Sequence, residues 1–218
     1  MAVSRAALVT GGTGRLGRVV AARLEADAYR VLAAGRADGD VSRPDEARAL
    51  VDRAAGELGG LDLVVCAAGA GFEPRPVSEV DERLWDAAFG TTAKGTFFTL
   101  QAAAEHLRRS SSGVAVVIED VAAYQPWPSF APHCAAKAAQ AMLTRVLARA
   151  FAPDVRVCGV APGPVAVEPD QVDRRAAETL LGRVGSPEDV AAAVAYLAGA
   201  NFVTGTTLVV DGGRLLAR

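Results

Sequence analysis

A glycine-rich octapeptide constrains this chain more than any other feature. Thr10-Gly-Gly-Thr-Gly-Arg-Leu-Gly17 closes the apolar run Ala6–Thr10 and opens the helical pattern Arg15–Ala26. A strand that turns into a helix over glycines gathers free backbone N–H groups and the positive end of a helix dipole at one spot. The absent side chains let a large anion approach the main chain. The layout predicts a pyrophosphate site at the head of a parallel sheet, with Gly11, Thr13, Gly14, Arg15, Leu16 and Gly17 as its residues.

The rest of the chain continues the alternation. Candidate strands are Ala6–Thr10, Arg30–Ala34, Leu61–Ala67, Val114–Glu119, Val155–Val160 and Thr207–Val210. They are aliphatic or β-branched runs, mostly bounded by Gly, Pro or charge. Candidate helices are Arg15–Ala26, Pro44–Leu58, Val80–Arg109, Pro132–Ala152 and Pro187–Ala198. Ser186-Pro187-Glu188-Asp189 reads as a helix start, with a capping Ser, Pro at the first position and acids in the first turn. Regular βα alternation predicts an α/β fold: one Rossmann-type, doubly wound parallel sheet with helices on both faces. No linker or repeat interrupts residues 1–218, so the expected organisation is one nucleotide-binding domain.

Composition narrows the function classes. The 23 basic and 25 acidic residues nearly cancel, which argues against nucleic acid as a partner. Three cysteines, Cys66, Cys134 and Cys158, with no CxxC, and two distant histidines, His106 and His133, argue against a disulfide framework or a zinc site. No apolar stretch reaches the roughly 18 residues of a membrane span, and no signal-peptide layout opens the chain. The expectation is a cytoplasmic protein with a small-molecule substrate.

Strand two ends Val31-Leu-Ala-Ala-Gly35-Arg36. An acidic residue there would bind the ribose hydroxyls of NAD, and none is present. Arg36, with Arg15, can face a 2′-phosphate instead, so NADPH is the expected cofactor in preference to NAD. Only three residues separate Arg36 from Asp40, whereas a parallel crossover needs about a dozen. A crossover helix and full strand cannot fit between them.

With these motifs in place, the chain resembles the short-chain dehydrogenase/reductase superfamily nearly end to end. The family's TGxxxGxG loop matches Thr10–Gly17, with Arg15 where the middle glycine usually stands. Its adenine-binding aspartate matches Asp40 of Asp40-Val41, and its Asn-Asn-Ala-Gly segment matches Cys66-Ala67-Ala68-Gly69. Val155 to Gly163 is similar to its strand six and Pro-Gly turn, which puts Pro162, Gly163 and Val165 near the nicotinamide. Arg183–Val190, Phe202–Gly205 and Asp211–Gly213 are similar to its C-terminal part. The resemblance implies that the missing unit is the family's third strand and its preceding helix, shortened or lost, and a sheet ordered 2-1-4-5-6-7 in family terms. It also implies a homotetramer or homodimer built through the long helices.

Within the superfamily the chain looks most like pteridine reductases. Those also carry an arginine in the glycine loop and an aspartate in place of the catalytic serine, here Asp120. Their pterin-stacking aromatic residue matches Phe72. The family's YxxxK is His133-Cys-Ala-Ala-Lys137 in this chain, and its catalytic asparagine matches Thr92. Residues four apart share a helix face, so His133 and Lys137 can point together. The resemblance gives Lys137 the ribose hydroxyls. An imidazole titrates near about 6.5 and a phenol near about 10, so an Asp120–His133 pair suits general-acid work at neutral pH. The expected chemistry is reduction of a C=O or C=N bond. Because imidazole is shorter than phenol, the alternative is a weakly active or inactive dinucleotide-binding protein or redox sensor.

Overall fold

The computed structural model describes residues 4–69, 72–165 and 167–217. Six strands form a parallel sheet: β1 (Ala6–Thr10), β2 (Arg30–Ala34), β3 (Leu63–Cys66), β4 (Val114–Ile118), β5 (Arg156–Pro162) and β6 (Thr207–Val210). Their order is β2-β1-β3-β4-β5-β6, with all pairs parallel. Strands β1, β3, β4 and β5 are buried or nearly so on both faces, which is why they read as continuous apolar runs rather than alternating ones, while the edge strand β2 is partly exposed. Leu8, Val64, Ala115, Val117 and Val157 turn to one side, where α2 (Pro44–Leu58), α4 (Gly95–Arg108) and α5 (Ala131–Phe151) cover them. Ala7, Val9, Val65, Val116 and Val160 turn to the other, under α1 (Arg15–Ala26) and α7 (Pro187–Gly199). Cys66 and Cys158 fill the core as small apolar residues.

The missing crossover is real. Between β2 and α2 the chain makes only a 3-10 turn at Arg36–Asp38. No strand stands beyond β2 among the described residues, and β2 is the edge. Because β1 lies between β2 and β3, the winding direction reverses at β1. Loops after β1 and β3 therefore part there and leave a crevice at the C-terminal sheet edge.

Three boundaries differ from expectation. The long helix over Val80–Arg109 is two helices, α3 (Glu82–Phe89) and α4, joined by a π turn at Gly90–Lys94. At that joint a side chain on Gly95 would come within 2.9 Å of Val41, so the helix passes tight against the Asp40–Ser42 link and takes an extra residue to do so. β5 runs two residues further than expected because Ala161 and Pro162 pair with Val209 and Val210. β3 is shorter, ending at Cys66 before the loop that borders the crevice. A short helix, α6 (Val172–Ala176), forms in the irregular stretch after β5.

Candidate active site

The crevice is a groove of about 480 Å³. Gly11, Thr13 and Gly14 line one side, and Ala67, Ala68 and Gly69 the other. Arg36, Asp40 and Val41 close its outer end. Gly11 has φ +67°, and a Cβ there would lie 2.6 Å from the Ala67 carbonyl oxygen. A Cβ on Gly17 would lie 2.2 Å from the Gly11 carbonyl oxygen. Both glycines hold the loop flat against the sheet edge. The N-cap of α1, Gly14, brings no side-chain cap, and its first turn has no acid. The positive end of the helix thus opens towards the groove without an internal counter-charge, which fits a dinucleotide pyrophosphate.

The other residues expected in this site divide. Leu16 packs beneath the loop against the core, so it supports rather than lines the groove. Arg15 is exposed and pairs with Glu168 at 2.5 Å, joining the loop to the segment after β5. Arg36 lies 3.7 Å from Asp40. The Ser42 hydroxyl and backbone N–H hold the Asp40 carboxyl below the usual carboxylate range, so it stays an anionic acceptor. Pro162 ends β5, the Gly163 N–H donates to the Val210 carbonyl, and Val165 bridges to Gly185. These three sit further along the same sheet edge, outside the groove lining. Lys94 lines a neighbouring cleft of about 420 Å³ with Arg36 and Ser42.

The structure brings Asp120, His133 and Lys137 together. Asp120 follows β4 and caps a short 3-10 turn, its Oδ1 accepting from the Ala122 N–H at 2.8 Å. Its Oδ2 lies 3.2 Å from His133 Nε2, in the first turn of α5. With Nε2 turned to the carboxylate, Nδ1 is the other ring nitrogen. One helical turn on, the buried Lys137 ammonium donates to the Ile118 carbonyl at 2.9 Å, the Gln140 side-chain oxygen at 3.0 Å and the Glu119 carbonyl at 3.3 Å. Burial lowers the Lys137 pKa, against the opposing pull of the Asp120 and Glu119 carboxylates.

Thr92 enters this centre through its main chain. It is buried in the π turn, and its carbonyl accepts from the Gln140 amide at 3.3 Å. Phe72 stands over His133 with ring centroids 5.0 Å apart and planes near perpendicular. One face of Phe72 is already stacked on Phe130 at 4.0 Å, and Trp127 meets both rings edge-on. Phe72 is therefore one wall of an aromatic cluster rather than an isolated plate. Cys134 is no rival nucleophile: burial pushes its thiol up, and its sulfur faces the Trp127 and Gln125 carbonyls.

Sequence reasoning missed three polar residues here. Gln140 is fully buried beside Lys137, at a spacing of three that the helix period could have flagged. Glu119 is buried with hydroxyls of Thr144, Tyr124 and Thr207 on its carboxylate, and only β5–β6 pairing and α5 packing bring those together. Arg214 pairs with Glu178 at 2.9 Å, bonds Gln125 and lies over the Trp127 ring at 4.9 Å, so it ties the tail to the aromatic wall.

A family model described as enoyl-(acyl carrier protein) reductase matches residues 12–214. The chain belongs to the short-chain dehydrogenase/reductase family. It is 36% identical to 3β-hydroxysteroid dehydrogenase 1 of Eggerthella lenta, over 96% of this chain and 93% of that one. A short-chain type dehydrogenase/reductase from Mycobacterium marinum superimposes with a TM-score of 0.90 at 28% identity, covering 96% of this chain and 95% of that one. Gluconate 5-dehydrogenase from Burkholderia cenocepacia, solved with NADP and tartrate, gives 0.89 at 26% identity, covering 98% and 96%. The protein is thus a family-type oxidoreductase, with the family's groove at the switch point of its sheet. Among the described residues, no helix is long and apolar enough to cross a membrane.

Proposed function

We propose that this family member is an NADPH-dependent reductase acting on a C=O or C=N bond of a small, pterin-like molecule. The observation that carries the reading is the Asp120–His133 pair at 3.2 Å, with Lys137 one turn away on the same helix. The open end of α1 and the Gly11–Gly17 loop bind the pyrophosphate, and Ala67–Gly69 border it. Asp40 accepts from the adenine end, and Arg36 faces the 2′-phosphate that separates NADPH from NADH. Pro162, Gly163 and Val165 border the nicotinamide end, and Lys137 holds the ribose hydroxyls. When bound, the nicotinamide supplies the hydride.

The chain's own chemistry is the proton. Asp120 fixes the His133 ring, with one carboxylate oxygen anchored by the Ala122 N–H and the other on Nε2. His133 then delivers a proton from Nδ1 to the substrate oxygen or nitrogen as charge builds there. Phe72, Phe130 and Trp127 give a flat substrate an apolar wall beside that nitrogen. Thr92 contributes by fixing Gln140. A single domain over residues 1–218, a cytoplasmic setting and a homotetramer or homodimer through α4 and α5 complete the reading. Purified protein should consume NADPH with at least one member of a panel of pterins, ketones and quinones. Tight NADPH binding without turnover on the whole panel would overturn it in favour of a dinucleotide-binding protein that does not reduce.

A further inference from the structure

An ammonium group has three N–H donors, and in this protein all three of Lys137 have protein acceptors: the Ile118 carbonyl, the Glu119 carbonyl and the Gln140 side-chain oxygen. Two of these acceptors are main chain at the end of β4 and come with the fold. The third is a side chain that the sequence chose. Gln140 has no exposed surface, and its amide nitrogen donates to the Thr96 hydroxyl at 2.8 Å and the Thr92 carbonyl at 3.3 Å. Every polar atom of that side chain is matched. A fully buried amide with all its bonds made is stiff, because any rotation strands a donor or acceptor.

We propose that Gln140 is a positioning residue that clamps the Lys137 ammonium and couples it to the π turn around Thr92. This rests on the dinucleotide reading above, in which Lys137 meets the cofactor ribose. The contact to the Glu119 carbonyl, at 3.3 Å, is the longest of the three, and it is the one a ribose hydroxyl replaces. The Ile118 and Gln140 contacts keep the nitrogen in place while that exchange occurs. Gln140 also screens the ammonium from the α4 side, where its neighbours are the neutral Thr92 and Thr96. The charged or titratable groups facing Lys137 are Asp120 and Glu119 from the end of β4, and His133 one turn back on its own helix.

The chain has only two lysines, and Lys94 is exposed. Labelling lysine side chains with ¹³C therefore gives an NMR spectrum with one buried resonance and one internal control, in the full-length protein without cofactor. Gln140→Met removes the acceptor at similar volume and should move the Lys137 midpoint to lower pH by about one pH unit or more. Gln140→Glu keeps an acceptor and adds charge, and should move it to higher pH. Lys94 should not respond. Thr96→Val, which loosens Gln140 without touching Lys137, should move the midpoint in the Met direction by less, and it keeps the test open if Gln140→Met does not fold.

NADPH affinity should fall in Gln140→Met and recover in Gln140→Glu. A Lys137 midpoint and an NADPH affinity that stay at wild-type values in all three variants would overturn the clamp. If the midpoint responds as described but wild-type protein binds no dinucleotide, the clamp stands and the cofactor reading falls.

Discussion

At the scale of single residues, the proposed site turns on the Asp120–His133 pair and on one arginine at the outer end of the groove. In the proposed mechanism histidine stands where the family resemblance puts a tyrosine, and the Asp120 carboxylate, 3.2 Å from the ring, orients it. In the proposed reading Arg36 makes the cofactor choice. Its only ion-pair partner among the described residues is Asp40, at 3.7 Å with the arginine side chain largely exposed, so it is available to a phosphate. Arg36→Ala should weaken NADPH by about tenfold to a hundredfold, as expected for one charged hydrogen-bonding group, and leave NADH nearly unchanged. Equal binding of both cofactors by wild type would sink that role. The thiols give a second residue-level test. Burial pushes the Cys66 thiol up to about 12 and raises Cys158 and Cys134 as well, but of the three only Cys134 keeps part of its surface exposed. Alkylation of folded protein near neutral pH should therefore modify Cys134 first, and Cys66 and Cys158 only on unfolding.

At the scale of elements, the start of α7 shows how local sequence sets a boundary. The Ser186 hydroxyl accepts from the Asp189 N–H, and the Asp189 carboxylate accepts from the Ser186 N–H at 2.9 Å. Ser186→Ala should cost about 0.5–2 kcal/mol in urea unfolding. Arg183, and then the Ser186 N–H, hold the Asp189 carboxyl below its ordinary value. A carboxyl whose folded pKa is lowered adds stability above its unfolded value, near about 3.9, and loses it as pH falls through the folded value. Asp189→Asn should thus destabilise the protein at neutral pH, and the gap to wild type should close on acidification towards pH ~3. A gap that stays constant with pH would exclude the charge. This helix start, with its capping Ser, was legible in the sequence because it is local, as were α1, α2, β1, β2 and β6, whose patterns end at glycines, prolines or charges. The π turn before α4 was not legible. Gly90–Lys94 is set by the approach of Val41 to Gly95, a contact between positions far apart in sequence. The same reason hid Glu119 and Arg214, whose partners come from other elements.

At the scale of the whole molecule, the lost crossover and the intact groove belong together. With no strand beyond β2 among the described residues, the glycine loop still sits at the groove, because β1 and β3 part at the switch point. It leaves the outer end of the groove to be closed by Arg36, Asp40 and Val41. Assembly is the other whole-molecule property that the family resemblance implies. Sedimentation should give a dimer or tetramer at micromolar concentration, and a monomer would refute the proposed use of α4 and α5. The central claim, however, concerns the proton. Single-turnover oxidation of NADPH should be measured with wild type and His133→Phe, on a substrate that wild type reduces. The account predicts a rate lower by about 10²–10⁴-fold in the variant, with NADPH affinity unchanged. A variant that turns over at the wild-type rate would contradict it.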